Sequence, residues 1–278
     1  MNKNWLNGKT VIVTGASSGI GRGLTKALIR EHGCTVFGIA RNQDKMEALI
    51  TELGEDAGRF SYRLFDISEQ GNWGKYASYL RENNIKPDLL INNAGVLPKF
   101  NRFSAYSVEE IEAAVKINFF GAVYACHALL PLLLESPAPA IVNIDSAAAL
   151  MSLAGTTAYS ASKAALKAFT EALREELRGR CYVGLVCPGF TKTDIFRDQN
   201  TGDEKQQKLL GMVSSSCDGM VKKIMKGIVK QRSLMVFGAD AQCMKHFGRW
   251  MPVQGGRLFS WVLKKSKLPL FGGVFADD

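Results

Sequence analysis

Histidine and cysteine are scarce and scattered in this chain of 278 residues. There are three histidines (His32, His127, His246) and six cysteines, with no Cys-x-x-Cys pair. That spacing excludes the common zinc and dithiol motifs, so no metal site is expected and the thiols read as reduced, as in a cytosolic protein. Long apolar runs are lacking too. The longest, FFGAVYACHALLPLLL from Phe119 to Leu134, is interrupted by His127 and Pro131. It falls short of the roughly 20 residues needed to span a bilayer and reads as a buried helix. The start, MNKNWLNGKTVIVTG, has no apolar run between its charged residues and a cleavage site, so no secretory signal and a cytoplasmic location are expected. Acids are scarce at the other end. Residues 220 to 278 carry eleven Lys or Arg against Asp240, Asp277 and Asp278, which concentrates there most of the net charge of +9. No recognition module accompanies that charge, so no nucleic-acid partner is expected.

What is present is enough apolar material, 46% of residues, for the core of one large α/β domain. Short β-branched runs at 10–14, 34–40, 60–67, 88–93, 140–146 and 181–187 read as buried strands, with helical stretches that include 19–32, 42–54, 107–134 and 157–179 between them. Parallel neighbours need crossover helices, so the alternation predicts a Rossmann-like doubly wound parallel sheet in a single domain, residues 1–278. After Cys187 the polar, turn-rich segment at about 190–215 reads as a lid over a site. A capped helix over 214–231, a last strand SLMVFG and a basic amphipathic extension over about 240–278 follow.

The stretch TVIVTGASSGIGRG places Gly15, Gly19 and Gly21 at the turn from the first strand into the first helix. Glycines there let the backbone approach a pyrophosphate, whose charge the helix amino terminus stabilises. The second strand ends at Ala40 and is followed by Arg41, where an acid usually holds a free ribose 2′-hydroxyl. An arginine supplies donors for a 2′-phosphate, so NADP(H) is favoured over NAD(H).

Further along, AYSASKAAL sets Tyr159 and Lys163 four positions apart, on one face of a helix. An unperturbed phenol, with a pKa of about 10, is a poor base at neutral pH. A fixed ammonium, together with an oxidised nicotinamide, is expected to favour the phenolate. In the reducing direction Tyr159 donates its proton to a carbonyl oxygen that Ser146, at the carboxyl end of a strand, also hydrogen-bonds. Asp145 precedes that serine, and strand alternation is expected to point it away from Ser146's face.

The pieces TGASSGIG (14–21), NNAG (92–95), KIN (116–118), DSAAA (145–149), YSASK (159–163) and PGFTKT (188–193) stand in one order over most of residues 10 to 195. On them the chain resembles the short-chain dehydrogenase/reductase family in its shorter, single-domain form. The resemblance implies a catalytic set of Asn118, Ser146, Tyr159 and Lys163. Asn118 kinks its helix to hold a relay water, and Lys163 also binds the nicotinamide ribose. It implies cofactor contacts from Gly15, Ser17, Ser18, Gly19, Ile20 and Gly21. Asp66 and Ile67 flank the adenine, Asn93, Ala94 and Gly95 support the adenine-ribose side, and Pro188, Gly189, Thr191 and Thr193 lie along the carboxamide and pyrophosphate. It also implies pro-S hydride transfer and a homodimer or homotetramer formed through helices 107–134 and 157–179. Asp145 departs from the small residue usual in relatives.

The variable segments supply Leu97, Leu150, Met151, Leu153, Phe190, Leu209 and Met212 beside Ser146 and Tyr159, an apolar lining suited to a hydrophobic ketone or secondary alcohol such as a hydroxysteroid or lipid-derived carbonyl. Reduction of 3-oxoacyl or small carbonyl substrates is the alternative. A non-catalytic NADP-sensing regulator would have lost Tyr, Lys or Ser, and none is lost. The basic tail could lie on an anionic membrane, pack across a subunit interface or fold over the substrate mouth. Packing against the protein or a partner subunit is favoured over membrane contact, because Pro252 and paired glycines break its apolar residues.

Overall fold

The structure, a computed structural model, describes residues 4–193, 195, 214–266 and 271–275. Among them seven strands form one sheet: β1 (Thr10–Thr14), β2 (Thr35–Ala40), β3 (Phe60–Leu64), β4 (Leu89–Asn92), β5 (Ala140–Ile144), β6 (Tyr182–Pro188) and β7 (Leu234–Phe237). Their order is β3-β2-β1-β4-β5-β6-β7 and every pairing is parallel. Each strand overlaps a run read from the sequence, with ends that differ by three residues at most.

Alternation along the strands builds two cores. Val11, Val13, Leu89 and Ile91 face one side, with α1 (Gly19–His32), α2 (Gln43–Leu53) and α7 (Cys217–Val229) laid over them. Ile12, Leu90 and Ile141 face the other, under α3 (Gln70–Glu82), α5 (Gly121–Leu133) and α6 (Thr157–Glu176). Each fully buried Leu or Ile contributes about 1.5–3 kcal/mol relative to exposure. This two-sided burial explains why the strands read as continuous apolar runs rather than as alternating ones. Helix α3 is outside the sequence reading, yet Trp73, Tyr76, Ala77 and Leu80 form its buried stripe, and the Trp73 indole donates to the Ile67 carbonyl at 2.9 Å.

The helix expected over 107–134 has three parts: α4 (Val108–Val115), one π-helical turn (Lys116–Phe120) and α5. By length and composition alone, Val108–Leu133 could cross a membrane. Here Ala125, Leu129 and Leu133 pack on the sheet.

The tail folds into α8 (Ala239–Trp250), α9 (Pro252–Ser266) and the short α10 (Gly272–Phe275). The chain leaves α8 at Met251, and Pro252 opens α9, where a missing N–H costs nothing. The glycines permit close packing: a methyl group on Gly248 would lie 2.1 Å from the Leu150 carbonyl oxygen, and one on Gly255 would lie 2.9 Å from the Phe247 Cβ.

Because β1 is flanked by β2 on one side and β4 on the other, the connections leave it in opposite directions. A crevice therefore opens at its carboxyl end, where such sheets take ligands.

Candidate active site

A cavity of about 390 Å³ occupies that crevice. Its first half is built from backbone. Gly15 has φ +66°, and a Cβ there would come within 2.9 Å of the Ala94 Cα. Gly19, at φ +50°, opens α1. Ser18 caps α1 without a side-chain hydrogen bond, and the first turn holds no acid, so the helix's first N–H groups face the cavity with their positive end uncompensated. The loop after β4 is braced from below. Thr14 Oγ1 accepts the N–H groups of Asn93 (2.9 Å) and Ala94 (3.0 Å), and Asn93 Nδ2 donates to the Thr14 carbonyl at 3.0 Å. Gly21 does not line the cavity. It is needed for packing, since a Cβ would stand 2.2 Å from the Gly15 carbonyl oxygen. A close-approach cradle of this kind, facing an uncapped helix terminus, fits the pyrophosphate of a dinucleotide.

Beyond the ends of β2 and β3, Arg41 and Asp66 line the cavity and lie 3.6 Å apart. Partial burial pushes the Asp66 carboxyl up, but hydrogen bonds from the Ser68 amide and hydroxyl and the Arg41 charge outweigh it and hold it below the usual carboxylate range. Ile67 also lines this end.

The other half is built from side chains. Ser146 lies two residues past the end of β5, and its Oγ accepts the Ala148 N–H at 3.1 Å. Lys163 is buried and donates to the Ile144 carbonyl at 3.1 Å, with its Nζ 5.9 Å from the centre of the Tyr159 ring. Asn118 lies within the π turn. Its Oδ1 accepts the Val96 N–H at 2.7 Å, and its Nδ2 donates to the Val96 carbonyl at 2.9 Å and to Ser162 Oγ at 3.0 Å. A Cβ on Gly95 would lie 3.0 Å from Asn118 Oδ1 and 3.6 Å from Lys163 Nζ, so a glycine leaves the gap between them open. Ser146, Tyr159 and Lys163 thus line one end of one cavity, while Asn118 does not line it and sits behind Gly95 and Val96, which do.

Their electrostatics differ from expectation. Burial pushes the Tyr159 hydroxyl up to about 12, the Ser146 hydrogen bond opposes this, and Asp145 and Cys187 push the same way as burial. The protein alone therefore holds the phenol protonated. Burial also lowers Lys163, opposed by Asp145 and Cys187. Asp145 borders the same cavity as Ser146, and its N–H continues the β5–β6 ladder by donating to the Val186 carbonyl at 2.7 Å. Asp145 is buried, and neither carboxylate oxygen has a hydrogen-bond partner. Burial pushes it up to about 8, with the Lys163 charge pulling down.

Of the residues expected to contact substrate, Leu97, Leu153 and Phe190 line the cavity beside Ser146 and Tyr159. Leu150 and Met151 do not. They pack beneath α8 and α9 with Phe247 and Phe259. Leu209 and Met212 lie outside the described residues. Pro188, Gly189, Thr191 and Thr193 line the cavity between its two halves. Sequence reasoning missed Phe65, Ile117, Thr156, Asp240 and Met244, which line it as well. Asp240 fixes the PGF segment: its Oδ2 accepts the Phe190 N–H at 2.6 Å. No local signal marks Asp240, because the contact joins residues fifty positions apart.

Known proteins match this arrangement. The short chain dehydrogenase family profile matches residues 9–204. A 3-oxoacyl-[acyl-carrier-protein] reductase of Chlamydia pneumoniae is 32% identical over 191 residues, covering 68% of this chain and 76% of the relative. An 11-beta-hydroxysteroid dehydrogenase-like protein of Arabidopsis thaliana is 31% identical over 234 residues, covering 83% and 74%. A short chain dehydrogenase of Burkholderia cenocepacia, solved in complex with NADP, superposes with a TM-score of 0.76 at 26% identity, over 91% of this chain and 98% of that one. With its seven-stranded parallel sheet and nucleotide-binding crevice, the chain belongs to the short-chain dehydrogenase/reductase family and is an NAD(P)-dependent oxidoreductase.

Proposed function

We propose that the enzyme interconverts a hydrophobic ketone and its secondary alcohol with NADP(H), on a substrate such as a hydroxysteroid or a lipid-derived carbonyl. The observation that carries this reading is the meeting of Ser146, Tyr159 and Lys163 with an apolar wall of Leu97, Phe100, Leu153, Phe190 and Met244 in one cavity. The name of the Arabidopsis relative agrees with it; that of the Chlamydia relative points to 3-oxoacyl substrates as the alternative.

A bound nicotinamide supplies or accepts the hydride. In reduction, Ser146 holds the carbonyl oxygen and Tyr159 gives it a proton. Lys163 holds the ribose hydroxyls and, with Asn118 and a water at the π turn, restores the proton to Tyr159. A phenol kept protonated by burial suits this direction. Arg41 would hold a 2′-phosphate, because its five N–H donors exceed what the contact with Asp66 uses. Phe119, Phe120 and Tyr124 form an aromatic stripe on the π turn and α5 that suits a homodimer or homotetramer interface.

The test is a panel of hydroxysteroids, bulky ketones, 3-oxoacyl thioesters and small carbonyls, followed by NADPH and NADH absorbance. Turnover of bulky ketones with NADPH is expected. Confinement of activity to acyl thioesters, or faster reaction with NADH, would overturn the substrate or the cofactor assignment respectively.

A further inference from the structure

Helices α8 and α9 cross the substrate end of the cavity and present two apolar sides. Inward, Met244 lines the cavity, Phe247 and Phe259 pack on Met151 and Leu153, and Leu263 joins Leu97 and Phe100. This is the packing against the protein that the sequence suggests for the tail. Outward, Trp250 is 66% exposed, Val253 58%, Trp261 56% and Leu258 47%. At about 100° per residue, Val253, Leu258 and Trp261 share one half of α9 with Arg257, Lys264 and Lys265, and Phe259 and Leu263 occupy the other. No acid occurs between residues 241 and 276.

An ordinary surface helix is polar on its outer side. Here the outer side is apolar and cationic at once, with charges interleaved among the large side chains. Lys265 Nζ lies 4.8 Å over the Trp261 ring, and the Arg249 guanidinium lies 5.5 Å over Trp250. The core of a protein–protein interface is depleted of lysine. Tryptophan with lysine and arginine, and no acid, is instead the chemistry of an anionic headgroup layer: the rings sit at the boundary and the long cationic stems reach the phosphates.

We propose that the outer face of α8 and α9 docks on an anionic lipid bilayer, turning the substrate end of the cavity toward the membrane so that a lipid-soluble carbonyl enters from it. The route of entry rests on the hydrophobic substrate reading above; the docking does not.

The full-length protein is sedimented with vesicles of phosphatidylcholine alone and of phosphatidylcholine with one-third phosphatidylglycerol, over a range of sodium chloride. Expected are binding to the anionic vesicles that fades with salt, little binding to the neutral ones, and a blue shift of tryptophan emission on binding. Removing three cations (Arg257→Gln, Lys264→Gln, Lys265→Gln) is expected to weaken partition by at least about tenfold. Trp250→Ser with Trp261→Ser is expected to abolish the blue shift, with NADPH turnover of a small water-soluble ketone unchanged in both variants. Quenching of the wild-type emission by brominated acyl chains gives the same answer without any variant. Absence of sedimentation, equal binding to neutral vesicles, or undiminished binding by the variants would overturn the proposal. So would a dimer by light scattering that dissociates on Trp261→Ser while no vesicle is bound, since a second copy would then cover the face. Turnover of the soluble ketone is measured without vesicles, so a failed catalytic reading leaves the docking result standing, and the reverse.

Discussion

The two ends of the cavity are built by different means. One end is made by backbone: Gly15 and Gly19 at positive φ, and the uncapped start of α1. The other end is lined by side chains, Ser146 and the titratable Tyr159, Lys163 and Asp145, and the protonation of those three is set by burial and by one another. A backbone site tolerates almost any neighbour but demands glycine. A site of buried titratable groups tolerates many backbones, and one changed charge retunes it.

The contrast is sharpest in what each end loses to a single atom. Removing the Tyr159 hydroxyl takes away the proton donor, so Tyr159→Phe is expected to lower kcat by about 10²–10⁴-fold with NADPH affinity nearly unchanged. Steady-state rates beside NADPH fluorescence titration check it, and equal rates would break the assignment. At the other end the damage comes from adding an atom. A methyl on Gly21 would meet the Gly15 carbonyl oxygen at 2.2 Å. Gly21→Ala is expected to cost about 1–3 kcal/mol of stability through that overlap and to loosen the dinucleotide with it. Thermal denaturation with and without NADPH reads both effects; an unshifted midpoint would show that the turn relaxes freely.

What was legible in the sequence follows the same division. The central strands were readable because both faces of the sheet are covered there, which leaves unbroken apolar runs, while the edge strand β3 (FSYRL) was marked by its aromatic residues. The glycines at 15, 19 and 21 were readable because a backbone site leaves its mark in residue type. Helix α3 escaped although Trp73, Tyr76, Ala77 and Leu80 have helical spacing, because Gly71 and Gly74 dilute the pattern. The π turn at Lys116–Phe120 escaped as a backbone form, since no residue type encodes an i to i+5 hydrogen bond. Asp240, Met244 and the seating of Leu150 and Met151 under the tail escaped because they arise only when residues about 50 to 100 positions apart meet. Pro252 reads as a breaker in sequence and does stand where α8 gives way to α9, while Gly248 and Gly255 act as close-packing points that only the fold reveals.

Arg41 probes the first end by charge alone. Arg41→Ala removes a donor to a 2′-phosphate without touching the glycine cradle. It is expected to raise KM for NADPH by about tenfold while leaving that for NADH within about twofold. An equal rise for both cofactors would place Arg41 in the fold of the loop instead.

Asp145 probes the other end through its titration. An aspartate in the unfolded chain titrates near about 3.9. In the folded protein burial raises Asp145 to about 8, against the pull of Lys163. Between those values the folded form keeps a proton that the unfolded form has released, so this group's contribution to stability is fully favourable below the lower value and is lost as pH rises to the upper one. Asp145→Asn removes the ionisable group and with it that loss. The difference in Tm, variant minus wild type, is expected to be lowest near pH 4 and to rise by a few degrees by pH 9, in line with about 1–3 kcal/mol for an unpartnered buried group. Because ionised Asp145 also pushes Tyr159 up, the variant's pH profile for alcohol oxidation is expected to move toward acid. A difference in Tm that stays flat with pH would mean that Asp145 finds a partner when it ionises, and the side-chain end of the cavity would then be as insensitive to a single charge as the backbone end.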